Sequence, residues 1–95
     1  MKPELTKTFR WNTDKNNQLQ QERQINFQTI VSSIEGDKLL DIIQHPNQEK
    51  YPNQRIFIVE IDRYVYLVPF IENETEFFLK TIIPSRKMTK KYLGE

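Results

Sequence analysis

The chain has no cysteine, one histidine and only two glycines. Without cysteine there is no disulfide and no thiolate metal site. A lone histidine excludes a multi-histidine zinc site built from this chain. Two glycines leave no glycine-rich loop to cradle a phosphate, and no serine, histidine and aspartate stand in a spacing that suggests a hydrolytic triad. Long hydrophobic runs are missing too. No N-terminal apolar segment resembles a signal peptide, and no stretch is long enough to span a bilayer. The expectation is a soluble, cytoplasmic protein. An excess of one charge is also lacking: 14 Lys and Arg face 13 Asp and Glu, for a formal charge of +1. That balance by itself announces no nucleic-acid partner.

What is present is enough for one small domain of 95 residues, with residues 1–7 as a loose leader. The hydrophobic share of 37% is low, but 12% aromatics argue against disorder. Phe9 and Trp11 alternate with polar residues, as in a short strand or an extended anchor. Thr13 reads as an N-cap, and a polar helix follows from Asp14 to Arg23 with Leu19 as its one strong apolar residue. Lys15, Leu19 and Arg23 fall on one face of it, close to Trp11. That face suits a phosphate and a base, or else Trp11 and Leu19 are core and the cations cover its edge. A second helix opens at the cap Asn26, with Ile25 and Ile30 as a hydrophobic staple. Its buried face is Phe27, Ile30, Val31 and Ile34, and Gly36 is its terminating residue.

Strands follow at Leu39 to Ile43, Arg55 to Ile61, Tyr64 to Ile71 and Glu76 to Ile83. Pro69 cannot donate to a ladder, so a bulge or an unpaired group is expected beside it. The result is an antiparallel meander with two apolar faces. One takes the second helix; the other needs the C-terminal helix, a second subunit or a partner protein. The predicted fold class is α+β: two N-terminal helices on a four-stranded antiparallel sheet, with a short basic C-terminal helix. His45, in a proline-rich loop, reads as structural or solvated. Glu72, Glu74 and Glu76 sit at a hairpin tip, where carboxylates favour solubility over metal binding.

The informative stretch is the last one. Between Lys80 and Lys91 stand five cations and no carboxylate. Arg86 and Lys87 lie where a helix starts, next to the positive end of its dipole, a conflict that a bound anion relieves. The alternative is a solvated basic helix.

Three segments carry a family resemblance. They are Phe9-Arg10-Trp11-Asn12-Thr13-Asp14-Lys15-Asn16, Ile25-Asn26-Phe27-Gln28, and Ile82-Ile83-Pro84-Ser85-Arg86-Lys87-Met88-Thr89-Lys90-Lys91. In this order they resemble the BrnT-like toxins of bacterial type II toxin–antitoxin modules, related in fold to RelE ribonucleases. The resemblance covers nearly all of the chain from Phe9. It implies a ribonuclease that cuts RNA without metal or cofactor and halts translation, neutralised by a ribbon-helix-helix antitoxin of the BrnA kind. By motif position Trp11, Lys15, Arg55 and Arg86 match positions tied to toxicity or substrate contact. Where the family carries Lys-His-Gly, this chain has Glu22-Arg23-Gln24, and Gln28 replaces a glutamate.

Metal-free RNA cleavage needs a base for the ribose 2′-hydroxyl, cations for the phosphorane and an acid for the leaving oxygen. Arg55, Arg86 and Lys87 are the expected charge clamps, gathered in one anion site with Lys80 close by. Lys80 or Glu22 is the candidate base, and Arg23 or Tyr92 the acid. Trp11, Lys15, Lys87, Lys90 and Lys91 are the candidate RNA contacts. Two other classes stay open: a non-catalytic nucleic-acid-binding module of the same fold, and a protein-interaction domain. The toxin reading adds association with itself or with the antitoxin.

Overall fold

A computed structural model describes residues 7–94 of the chain. The leader expected over residues 1–7 lies outside this range except for Lys7. In chain order the elements are β1 (Thr8–Trp11), α1 (Thr13–Arg23), α2 (Phe27–Glu35), β2 (Leu39–Gln44), β3 (Arg55–Ile61), β4 (Tyr64–Glu72), β5 (Glu76–Leu79), β6 (Ile83–Pro84) and α3 (Arg86–Leu93). The class is α+β, as expected.

The sheet is larger than predicted and mixed. Its order is β1-β5-β4-β3-β2, with β6 also paired to β4. The ladders from β2 through β5 are antiparallel, but β1 joins β5 in parallel, Thr8 opposite Glu76 and Trp11 opposite Leu79. The alternation of Phe9 and Trp11 thus belongs to an outer strand. The last predicted strand is broken in two. From the Phe70–Leu79 pair to the Leu67–Ile83 pair, β4 advances three residues while the other side advances four. One residue is therefore extra opposite Pro69. This is the irregularity expected from a proline that offers no N–H, with Lys80 donating its amide to the Pro69 carbonyl at 2.8 Å.

Alternation along the strands divides the apolar residues between two faces. On the first, Phe57, Val59, Val68, Phe70, Phe77 and Leu79 form one core with Leu19 of α1 and with Phe27, Ile30 and Ile34 of α2. The Phe57 and Phe70 rings stack at 3.9 Å across β3 and β4. On the second face Ile56, Ile58 and Val65 pack under Met88, Tyr92 and Leu93 of α3. The C-terminal helix, one of the covers foreseen for this face, packs on it.

Helix ends differ in detail from expectation. The cap of α1 is Asn12, not Thr13: its Oδ1 accepts the Lys15 amide at 2.9 Å. Asn26 caps α2 as expected, accepting from the Thr29 amide at 2.8 Å. Gly36 follows α2 with φ −93°, and it is Asp37, at φ 71°, that takes the left-handed conformation. Gly36 serves by its size, since a Cβ there would stand 3.2 Å from the Ser32 carbonyl oxygen.

Candidate nucleic-acid interface

The basic segment folds as foreseen at its start. Ser85 caps α3 by accepting the Met88 amide at 3.1 Å, which sets Arg86 and Lys87 in the first turn. The inward side of α3 is Met88, Thr89, Tyr92 and Leu93; Arg86, Lys87, Lys90 and Lys91 are exposed. Thr89 ties the helix down: its hydroxyl donates to the Ser85 carbonyl at 2.7 Å and accepts the Val65 amide at 2.9 Å. Among the described residues none of these four cations, nor Lys80, pairs with a carboxylate. Lys91 lies over the Tyr92 ring at 5.5 Å, and Lys80 over the Phe78 ring at the same distance.

Arg55 does not join them. It pairs across the ladder with Phe70, whereas the start of α3 meets β4 at Val65, whose carbonyl accepts the Ser85 amide at 3.0 Å. Five strand residues, about 17 Å, separate the two points. The faces differ as well: Arg55 lies over Phe70 on the α1 and α2 side, with 5.4 Å between its guanidinium carbon and the ring centre. Its guanidinium is bound to the Glu72 carboxylate. The expected single anion site of Arg55, Arg86 and Lys87 is therefore not formed. The antiparallel register carries Arg55 to the hairpin-tip end of the sheet, where an acid neutralises it.

That hairpin tip is an ion-pair cluster. Glu72 also accepts from Lys7 at 2.7 Å, and Glu76 from Arg10 at 3.2 Å. The Lys7 hydrogen bond, and after it Arg55, hold the Glu72 carboxyl below the usual glutamate range against an upward push from burial. Among the described residues no group of three or more His, Asp or Glu is arranged to hold a metal ion. His45 is structural: its Nδ1 accepts the Asn47 amide at 3.1 Å and its ring lies 4.3 Å from Tyr51.

The remaining candidates separate into anchors and free groups. Trp11 stacks on Phe27 at 5.7 Å and is half-buried, so its ring serves the core. Lys15 and Glu22 stay on α1, Glu22 accepting from Gln18 at 3.2 Å. Tyr92 donates its hydroxyl to Asp41 at 2.8 Å; burial, then this bond, pushes the phenol up. Its hydroxyl faces β2, while Lys91 lies over its ring.

Arg23 takes a partner far along the chain. Its Nη1 donates to the Ile82 carbonyl at 2.8 Å, 59 residues along the chain. This clamps the α1–α2 junction to the irregular segment before β6. From Ile82 the chain reaches Arg86 within four residues, at most about 14 Å. Arg23 is thus fixed to the approach to α3, whereas Lys80, bonded to Pro69, stands four strand residues from Val65, where that helix starts. Nothing local in the sequence signals this; it depends on where residues 80–82 leave the ladder.

No protein-family model, no curated protein and no solved structure matches this chain.

Proposed function

We propose that this chain is the toxin of a type II toxin–antitoxin pair, a metal-independent ribonuclease that lowers translation and is held inactive by a ribbon-helix-helix antitoxin. The observation that carries the proposal is the stripe of Arg86, Lys87, Lys90 and Lys91 on α3, all without carboxylate partners among the described residues. Guanidinium and ammonium groups left unneutralised beside a capped helix start suit phosphate oxygens.

A second support is that the three segments behind the family resemblance meet in space. Trp11 of the first stacks on Phe27 of the second. Asn16 of the first donates to Gln28 at 2.9 Å and accepts the Phe27 amide at 2.7 Å. Arg23, at the position of the family's histidine, holds Ile82, the opening residue of the third. Gln24, where the family carries glycine, keeps a left-handed backbone at φ 56°. In this reading Arg86 and Lys87 hold the scissile phosphate.

The engagement of Arg23 with a backbone carbonyl favours a second reading, in which the fold binds RNA without cutting it. A cleavage assay on unstructured RNA in the presence of a chelator separates the two. The toxin reading expects cleavage that the chelator leaves intact. Arg86→Ala should lower the rate about 100-fold, with little loss of stability since the side chain is exposed. Lys90→Ala should cost much less. RNA retention without cleavage would give the second reading, and equal small effects of both substitutions would remove the helix start from the site.

A further inference from the structure

The second sheet face is only partly roofed. Beyond the reach of α3, Ile71, Phe78 and Ile83 stay 38%, 37% and 41% exposed. Ile71 and Phe78 are direct cross-strand partners, and on its other side Phe78 is paired with Arg10 of β1. Lys80, two residues on, sets its Nζ 5.5 Å from the centre of the Phe78 ring. The ring is thus partly exposed, with Lys80 over it and Arg10 beside it in the ladder. Lys80 has no carboxylate partner among the described residues. Arg10 reaches Glu76 at 3.2 Å with 62% of its side chain in solvent, a pair that a stronger anion displaces at little cost.

Patch size decides what fits. Three side chains about two-fifths exposed offer on the order of 200 Å². A partner protein in a standard interface covers roughly 800 Å². One aromatic ring with an ammonium over it and an arginine on the neighbouring strand matches a single unpaired base and its flanking phosphates. The continuation of the same strand leads through Ile83 and Pro84 to the basic start of α3. We propose that Phe78, with Lys80 and Arg10, is a base-stacking site for single-stranded nucleic acid on the open sheet face, feeding the strand toward Arg86. The ligand class rests on the ribonuclease reading; the surface does not.

The probe is a fluorescent, unstructured oligodeoxynucleotide of about 12 nucleotides, which keeps bases and phosphates but lacks the 2′-hydroxyl that cleavage needs. Binding is read by anisotropy across a salt series. Phe78→Ala should weaken binding about tenfold, while Phe78→Trp, which keeps a stacking ring, retains it. Lys80→Ala should reduce the slope of log affinity against log salt by about 0.7, the share of one phosphate. If Phe78→Ala does not fold, Phe78→Leu, apolar but ringless, carries the same expectation. A wild type that cuts RNA while Phe78→Ala and Phe78→Leu bind as it does overturns this site and leaves the ribonuclease reading standing. Phe78-dependent binding by a chain that cuts no RNA keeps the site and removes the ribonuclease. Equal affinity for the duplex form of the probe, or Phe78-dependent binding of an acidic peptide but not of the probe, overturns the stacking site.

Discussion

Gln24 holds a backbone conformation that its own side chain does not favour. At φ 56° and ψ 37° it ends α1 in the left-handed region, its amide donating to the Gln20 carbonyl at 3.1 Å. Glycine occupies that region freely, whereas a side chain raises its energy by about 1–2 kcal/mol. Gln24→Gly should therefore stabilise the fold by about 0.5–1 kcal/mol and raise the melting temperature by a few degrees. A lower melting temperature would mean that the Gln24 side chain contributes more than its backbone strain takes away. Asn16 is the opposite case, a polar residue only 9% exposed whose two hydrogen bonds join α1 to the start of α2. Asn16→Ala strands the buried Phe27 amide and should cost about 1–3 kcal/mol in urea unfolding. Hydrophobic periodicity does not reveal such an anchor. Leu19 stands out in the sequence as the apolar tie of α1, whereas Asn16 is one polar residue among many there.

At the level of elements, Thr89 is one of the polar ties of α3 to the sheet. Thr89→Val keeps the shape and removes the acceptor for the Val65 amide. The expected outcome is a loss of about 1–3 kcal/mol and faster hydrogen exchange at Val65 and along α3, while α2 keeps its protection. Uniform exchange changes across both helices would mean that α3 does not open separately. The elements differ in how far the sequence foretold them. For α2, the Asn26 cap and the spacing of Phe27, Ile30, Val31 and Ile34 all pointed one way. The meander was equally clear from alternation and from the Asp62-Arg63 turn, where both residues take left-handed φ values of 51° and 65°. The parallel pairing of β1 and β5 had no local signature, because nothing in either strand records its partner. The cations of α3 could be counted in advance. Their separation from Arg55 could not, since it follows from register. The sequence marks Phe78 only as strand, and its exposure follows from α3 starting at β4 and running toward β2, away from β5.

Across the whole molecule, near neutrality conceals an uneven distribution. The hairpin-tip end gathers Lys7, Arg10, Arg55, Glu72 and Glu76 into ion pairs, while the α3 cations stay unpaired among the described residues. Acid acts on the first group. Glu72 titrates lower when folded than when unfolded, so its contribution is complete above about pH 4.3, the ordinary glutamate value. It is lost as pH falls through that value toward the depressed one. Unfolding midpoints should decline over that acid window, and Glu72→Gln should flatten the decline and lower the plateau at neutral pH. An unchanged acid profile in Glu72→Gln would assign the decline to other carboxylates.

The pairing of β1 with β5 also bears on how the protein is made. Arg10 and Glu76 meet across 66 residues of chain. At translation rates of about 5–20 residues per second, Phe9 and Trp11 emerge several seconds before the strand that receives them exists. Until then the growing chain has α1 and α2 but no finished sheet beneath them, and the segment carrying Arg86 is still to be synthesised. The nascent polypeptide is therefore inert in the proposed chemistry until Arg86 has been added. Any chain released before Glu76 leaves its opening strand exposed to proteases and to neighbouring chains.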